Sequence, residues 1–220
     1  MTESTDVYRE LPRVSLLGGP LHQLGCRLGL VRAGHRTLRL GIAIGLSLWL
    51  VGALLAVLEG VELWSIAMLG AHARLLLAIP LLFLAESLLD PRVDEFVRAL
   101  ARSSIVPADQ MHELRAQIDG NARWNQSWWL EAVCLIVAIA LAFATPLLEI
   151  PGTEAFARIA AGEDLPWAGW WYAVVCLTTL RFLVLRWLCR WLLWVYWLWR
   201  ISRLRLQLVA SHPDGMAGLG

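Results

Sequence analysis

Five charged residues interrupt long apolar segments of the sequence, and they are the residues best suited to carry chemistry there. They are Glu86, Glu131, Arg181, Arg186 and Arg190. On insertion scales, a charge in the hydrocarbon of a bilayer costs about 2.5–3.5 kcal/mol, so each such residue needs a partner or a purpose. A carboxylate beside an arginine in this setting handles protons or ions, or the pair only fixes the register of two helices. The sequence leaves both interpretations open.

Glu86 and Arg181 are predicted to lie at the same depth in the bilayer. If their segments enter near Ala73 and Ala168, each residue is 13 positions from its entry point. At 1.5 Å per residue, both then lie about 20 Å from the same boundary. The sequence therefore predicts an ion pair between Glu86 and Arg181.

Helical phase separates the three arginines of the last apolar segment. At 3.6 residues per turn, Arg181 shares a face with four aliphatic residues. They are Leu185, Leu188, Leu192 and Val195. We expect this apolar face to pack against the other helices. Arg186 and Arg190 lie near the opposite side, where long side chains reach lipid headgroups, and Glu131 is a candidate partner for Arg186.

A neighbouring stripe of tryptophans accompanies these arginines. Trp187, Trp191 and Trp194 recur at helical spacing. Tryptophan is enriched where a membrane meets water, so the stripe predicts interfacial anchors. The alternative is a platform on which a ligand stacks.

The overall composition disfavours a water-soluble globular enzyme. Hydrophobic residues make up 58% of the chain and the mean hydropathy is +0.59, against roughly 45–50% apolar residues in ordinary soluble domains. A formal net charge of +1 gives no electrostatic footprint for nucleic acid, which is excluded as a partner. Thirteen tryptophans suit a protein at membrane–water interfaces.

Four segments have the length and apolar character of membrane spans. They cover residues 40–58, 73–89, 128–148 and 168–190. The apolar run that contains the last span extends to Trp199, which is too long for one crossing of about 30 Å. We expect that helix to continue into the cytoplasm or to bend along the membrane surface.

The arginine count predicts the orientation of these spans. Six arginines precede the first span and five lie between the second and the third, whereas the two alternate loops hold only Arg74 and Arg158. Because arginine-rich segments stay in the cytoplasm, both termini and the segment 91–127 are predicted to be cytoplasmic.

Three further segments complete the predicted organisation. Residues 1–39 form a cytoplasmic segment whose stretch 20–32 reads as an amphipathic helix, lying either in the inner leaflet or on its own protein. Residues 40–199 form the transmembrane bundle, in which 91–127 is a cytoplasmic helical hairpin. Residues 200–220 form a polar tail. In the first span, Gly41 and Gly45 have GxxxG spacing, which serves internal packing or a dimer interface.

Familiar catalytic, metal and cofactor motifs do not occur. The four cysteines form no C-x-x-C pair, and no histidine has the spacing of a metal ligand. There is no phosphate-binding glycine loop and no nucleophile motif. We therefore predict no catalytic residue, no metal and no cofactor.

The tail carries the sharpest motif of the sequence. Residues 208–220 read LVASHPDGMAGLG and include His212, Pro213 and Asp214. With the arginine-punctuated segment 185–191 and the GGPL at 18–21, this resembles a group of uncharacterised bacterial multi-pass membrane proteins, whose tail typically reads HPDRAGGLGFL. The chain departs from that pattern at residues 215–217.

The resemblance implies a location in the bacterial inner membrane and no particular biochemical activity. Members of the group continue past the motif into further hydrophobic segments. The chain is therefore expected to be the N-terminal portion of a longer protein.

These observations predict an all-α, polytopic transmembrane bundle. The first functional hypothesis is a small transporter or channel subunit, homo-oligomeric, that uses the intramembrane Glu/Arg pair. The alternative is a membrane scaffold or sensor that binds a cytoplasmic protein through the hairpin and tail. In both hypotheses the lipid bilayer is the immediate partner.

Overall fold

The structure, a computed structural model, describes the chain in eight stretches. They are residues 23, 25–27, 37–60, 63–64, 66–102, 111–125, 127–148 and 166–203. These stretches are almost entirely helical and contain no β-strand. The predicted all-α class is therefore confirmed for the described part of the chain.

Five helices account for most of the described residues. Helix α1 is Leu38–Leu58, α3 is Met111–Asn125 and α4 is Trp128–Leu148. Helices α2 and α5 each join three consecutive segments, of which the middle one is π-helical. Those of α2 are Ile66–His72, Ala73–Ala78 and Ile79–Arg102. Those of α5 are Trp167–Trp170, Trp171–Leu177 and Thr178–Ser202.

Three helical segments are long and apolar enough to cross a membrane, judged by length and composition. They are Leu38–Leu58, Met68–Ala99 and Trp167–Ser202, and a shorter apolar stretch covers Trp128–Ala142. Large aliphatic side chains such as Leu54 and Ile136 lie more than half exposed on the outer faces. Extended apolar surface of this kind is unusual on a water-soluble monomer. It suits contact with lipid.

Helix α2 differs from its predicted boundaries. It begins at Ile66 and continues through Pro91 to Arg102. Residues 91–102 of the predicted hairpin 91–127 are therefore the end of α2. The proline removes one backbone hydrogen bond. Asp90 before it, and Val93 and Val97 after it, remain buried at helical spacing. Packing of this continuous face holds the helix together across Pro91.

Two predicted segments lie largely or wholly outside the described residues. Only Gln23 and residues 25–27 of the predicted amphipathic helix are described, and these are helical. The tail with His212, Pro213 and Asp214 is outside the described stretches altogether.

Helix α5 is the central element of the fold. Its first part packs on α1, and its later part packs on α2, α3 and α4. The carboxylate of Glu59, just after α1, accepts hydrogen bonds from the backbone N–H groups of Trp167 and Ala168 at the start of α5. A negative charge at a helix N-terminus is favourable, because unpaired N–H groups point toward it. Glu59 therefore caps α5 from 108 residues away in sequence.

The π-helical segment of α2 packs directly on α1. In this segment the N–H of Ile79 donates to the carbonyl of Arg74, five residues earlier. Pro80 has no N–H to continue the series to the carbonyl of Leu75. Gly45 of α1 lies against that carbonyl, since a Cβ built on Gly45 would be 2.3 Å from the Leu75 oxygen. The absence of a side chain thus lets the α1 backbone cover a carbonyl that Pro80 leaves without its donor.

The predicted GxxxG pair therefore serves internal packing. Gly41 and Gly45 are both buried against α2, and a Cβ on Gly41 would lie 2.7 Å from the ring of Phe83. Thr37, at the start of α1, donates from its hydroxyl to the carbonyl of Phe83 at 2.9 Å. These contacts leave no room on this face of α1 for a second copy of the chain.

Gly45→Ala is expected to destabilise the bundle by about 2 kcal/mol or more, because its methyl group meets backbone that cannot rotate away. Unfolding of the purified protein in mixed detergent micelles measures the change. Gly120→Ala is the matched control, since nothing lies within 4 Å of a Cβ at that helical position. The control is expected to stabilise the protein by up to about 1 kcal/mol through helix propensity. Equal effects of the two substitutions would contradict the close contact of α1 with α2.

Candidate functional site

Four of the five charged residues come together where α2, α4 and α5 meet. We call Glu86, Glu131, Arg186 and Arg190 the charge network. Arg186 donates from Nη1 to Oε1 of Glu86 and from Nε to Oε1 of Glu131, both at 2.9 Å. Arg190 reaches the same two oxygens at 3.2 Å and 3.4 Å. Each arginine therefore bridges both carboxylates, and the network joins three helices.

The charge network is buried and electrically balanced. Each of its four side chains is less than 10% exposed, and its two acids and two arginines carry opposite charges. Removing charges from water is costly, and mutual attraction offsets that cost only when the geometry also provides hydrogen bonds. Here four charge-assisted hydrogen bonds do so. The arrangement can hold helices together without leaving a net charge among these four groups.

Local helix geometry explains why these residues meet. Arg186 and Arg190 are four residues apart and so lie on one face of α5. Leu183, Trp197 and Ile201 are buried with them and define that face as the inward one. Helix α2 presents Glu86 to it, and Asp90, one turn further on, is also buried and acts electrostatically on Arg190. The polar groups of three helices are thereby gathered on the inside of the bundle.

The predicted Glu86–Arg181 pair is wrong. Glu86 binds Arg186 and Arg190 instead, and Arg181 lies partly buried one to two turns earlier in α5. The error arose from the entry point of α2, which begins at Ile66 rather than near Ala73. Glu86 is 20 residues from that start, and Arg186 is 19 residues from the start of α5 at Trp167. The two counts are nearly equal, so Glu86 and Arg186 lie at about the same depth and can pair.

The predicted inward face of α5 is also wrong. Leu188, Leu192 and Val195 of the apolar stripe are about two-fifths to one-half exposed, whereas Arg186 and Arg190 are buried rather than directed to headgroups. An exposed aliphatic face suits contact with lipid, whereas charged groups inside an apolar bundle are stable only when they pair with one another. Glu131 lies beside Arg186, the partner expected from its shallow depth.

Two thiols pack beside the network. Cys134 of α4 and Cys189 of α5 have their sulfur atoms 3.5 Å apart, and both cysteines are free. Among the described residues, no group of three or more histidine, cysteine or acidic side chains is arranged to hold a metal ion.

A cavity of about 420 Å³ lies between α2 and α5 and reaches the charge network. We call it the α2–α5 cavity. Its wall includes Glu86 and Arg190 together with four aromatic residues, Phe96, Trp187, Trp191 and Trp194. All three tryptophans of the predicted stripe therefore line this cavity. Trp191 remains nearly half exposed at its edge.

Glu86 uses only one of its two oxygens within the network. Oε1 accepts from both arginines, whereas no described residue donates to the buried Oε2. The indole Nε1 of Trp194, on the opposite wall, is a buried donor that likewise has no acceptor among the described residues. Buried polar atoms are nearly always hydrogen-bonded in native proteins. Both residues line the cavity, so one unused acceptor and one unused donor lie next to it.

The α2–α5 cavity and the cap that Glu59 provides could not be predicted from the sequence. The tryptophan stripe was a usable signal, but only the packing of α5 on α2 shows that it lines a cavity. The capping role of Glu59 depends on a contact between distant segments, for which the sequence carries no local pattern.

No protein-family model matches the chain, and comparisons with curated proteins and with solved structures find no similar protein. The interpretation of the site therefore follows from its own geometry.

Arg186→Met is expected to destabilise the protein by about 3–5 kcal/mol, because it leaves buried carboxylates without their main partner. Unfolding in mixed micelles measures this loss. Arg98→Met is the control, since Arg98 pairs with Asp94 at 3.0 Å on a partly exposed surface. Such pairs contribute at most about 1 kcal/mol. An Arg186 variant as stable as the Arg98 variant would show that the network does not stabilise the fold.

Proposed function

We propose that the protein is a small multi-pass transporter of the bacterial inner membrane, in which Glu86 is the carboxylate that contacts the transported molecule. The observation that carries this proposal is the buried Oε2 of Glu86, to which no described residue donates, on a residue that lines the α2–α5 cavity. A carboxylate with a purely structural role would be expected to use both oxygens in its network, since an unmade buried hydrogen bond costs about 1–3 kcal/mol or more.

The proposed topology has four spans with both termini in the cytoplasm. Helix α4 is the added span, because Trp128–Leu148 is 21 residues long and places Glu131 in the charge network near its beginning. Four crossings agree with the arginine asymmetry, which leaves the arginine-rich segments on one side. With this topology, the segment around α3 is cytoplasmic and the α2–α5 cavity lies toward the inner leaflet.

The cavity wall favours a small amphipathic molecule over a bare ion. An ion stripped of water needs several oxygen ligands around it. The α2–α5 cavity is lined by one carboxylate, that of Glu86, by the guanidinium groups of Arg92 and Arg190, and by aromatic and aliphatic surface that includes Phe96, Trp187 and Trp191. A ligand with one hydrogen-bond donor for Glu86 and an apolar body fits this combination. Transport of such a solute is therefore preferred over an ion channel.

The alternative is a membrane scaffold or sensor that binds a cytoplasmic protein through the segment 91–127 and the tail. It is favoured by the charge balance of the network, in which two acids and two arginines neutralise one another and hold α2, α4 and α5 in register. In that case Glu86 is structural and the cavity beside it stays dry.

Access to the cavity is tested with single cysteines in a background without Cys26, Cys134, Cys176 and Cys189. Glu86→Cys and Val93→Cys place a thiol in the cavity wall, and Val93 leaves the charge network intact if the first variant does not fold. We expect a membrane-impermeant thiol reagent to label both positions from the cytoplasmic side in inverted vesicles. Ile79→Cys is the control, because Ile79 is completely buried in the core and should stay unlabelled.

Labelling at position 93 from the cytoplasmic side and not at position 79 supports a cavity open to solutes. If neither cavity position is labelled in folded protein, the transport proposal is overturned and the scaffold alternative stands.

A further inference from the structure

A second cavity, of about 600 Å³, lies between α3 and α5. We call it the α3–α5 cavity. It lies beyond the charge network along α5, and none of its lining residues lines the α2–α5 cavity, so it is separate from the proposed transport site. Helix α3 makes room for it with Ala116 and Gly120, one turn apart on the face toward α5. Nothing lies within 4 Å of a Cβ built on Gly120, so the space is not a close helix contact.

Two residues that line this cavity each carry a buried polar atom without a partner among the described residues. One is Oε1 of Gln117, a residue that is 9% exposed, and the other is Nε1 of Trp197, which is 3% exposed. The first accepts a hydrogen bond and the second donates one. Leaving both hydrogen bonds unmade costs free energy, because a buried polar atom without a partner loses its bonds to water and gains none. A molecule that offers one donor and one acceptor would satisfy both.

Aromatic rings supply flat surface beside these polar atoms. Trp124 of α3 and Tyr196 of α5 also line the α3–α5 cavity, and each is about half exposed. Their rings are positioned by neighbours, since Trp124 packs edge-on against Trp129 at 5.1 Å and Tyr196 lies 6.0 Å from Trp199. Aromatic rings of this kind bind planar ligands by stacking. The cavity therefore suits a planar heteroaromatic molecule.

Two exposed charges of opposite sign complete the wall. Glu113 comes from α3 and Arg200 from α5. Together they attract neither a cation nor an anion strongly, but both form hydrogen bonds with hydroxyl groups, Glu113 as acceptor and Arg200 as donor. This pattern favours a neutral ligand that carries hydroxyls.

From these features we infer that the α3–α5 cavity is a binding site for a neutral nucleoside. The base stacks on the aromatic rings, its edge accepts from Nε1 of Trp197 and donates to Oε1 of Gln117, and the ribose hydroxyls lie near Glu113 and Arg200. A nucleotide binds less well, because Glu113 offsets the attraction of Arg200 for the phosphate, which must still lose its water on entry.

Equilibrium dialysis of the full chain in detergent micelles against adenosine, guanosine, cytidine and uridine tests the inference. At least one of the four is expected to bind with a Kd below about 1 mM, and its 5′-monophosphate is expected to bind more weakly. Gln117→Leu keeps the approximate shape of the side chain and removes its polar atoms, whereas Trp197→Phe removes the indole N–H together with part of the buried ring. Each is expected to weaken binding about tenfold, the effect of one buried hydrogen bond.

Gln117→Leu should fold, since replacing an unpaired buried polar group by an apolar group of the same shape is nearly neutral. Trp197→Phe loses buried ring volume and some stability, so its binding is compared only after its unfolding in mixed micelles shows that it is folded. Trp128→Phe, on an exposed tryptophan outside the cavity, is the control and should bind as the unmodified chain does. Absence of binding by all four nucleosides overturns the inference. So does binding that neither cavity variant weakens, or tighter binding of the monophosphate.

Discussion

The pairing of two buried carboxylates with two buried arginines is the constraint on which the rest of the bundle depends. Because neither an apolar protein interior nor lipid solvates these four charges, α2, α4 and α5 must meet where Glu86, Glu131, Arg186 and Arg190 can reach one another. Arg186 and Arg190 each contact both carboxylates, so a rotation of any of the three helices would break several hydrogen bonds at once. The network therefore sets register as well as proximity.

Outside the charge network, close contact between helix backbones holds the helices in register. The π-helical segments of α2 and α5 both pack on α1, and they are joined by the hydrogen bond of 2.7 Å from Arg74 to the hydroxyl of Tyr172. Gly45 covers the Leu75 carbonyl, which could not be exposed to lipid without cost. One part of the bundle is thus held by charge and another by the close approach of glycine and backbone.

The sequence predicted the helical class and the approximate bounds of α1 and α4. It also predicted that Glu86 pairs with an arginine, because a charge in an apolar segment is conspicuous. The partner of Glu86 could not be predicted, since depth counted from Ala73 ignores the seven residues by which α2 starts earlier at Ile66. The inward face of α5 was misjudged because an apolar stripe packs inward in water but outward in lipid. Gln117 gave no signal, because the cavity it lines exists only through the packing of α3 on α5.

The most direct measurement is a double-mutant cycle of Glu131→Gln and Arg186→Met, followed by unfolding in mixed micelles. Within the charge network, each single substitution leaves an unbalanced charge. The double variant leaves Glu86 and Arg190 as a balanced pair, whose Oε1 and Nη1 atoms are 3.2 Å apart. The double variant should therefore lose clearly less stability than the sum of the single losses, with a coupling energy above about 1 kcal/mol. Losses that add within about 0.5 kcal/mol would show that these charges act independently and that the network does not organise the bundle.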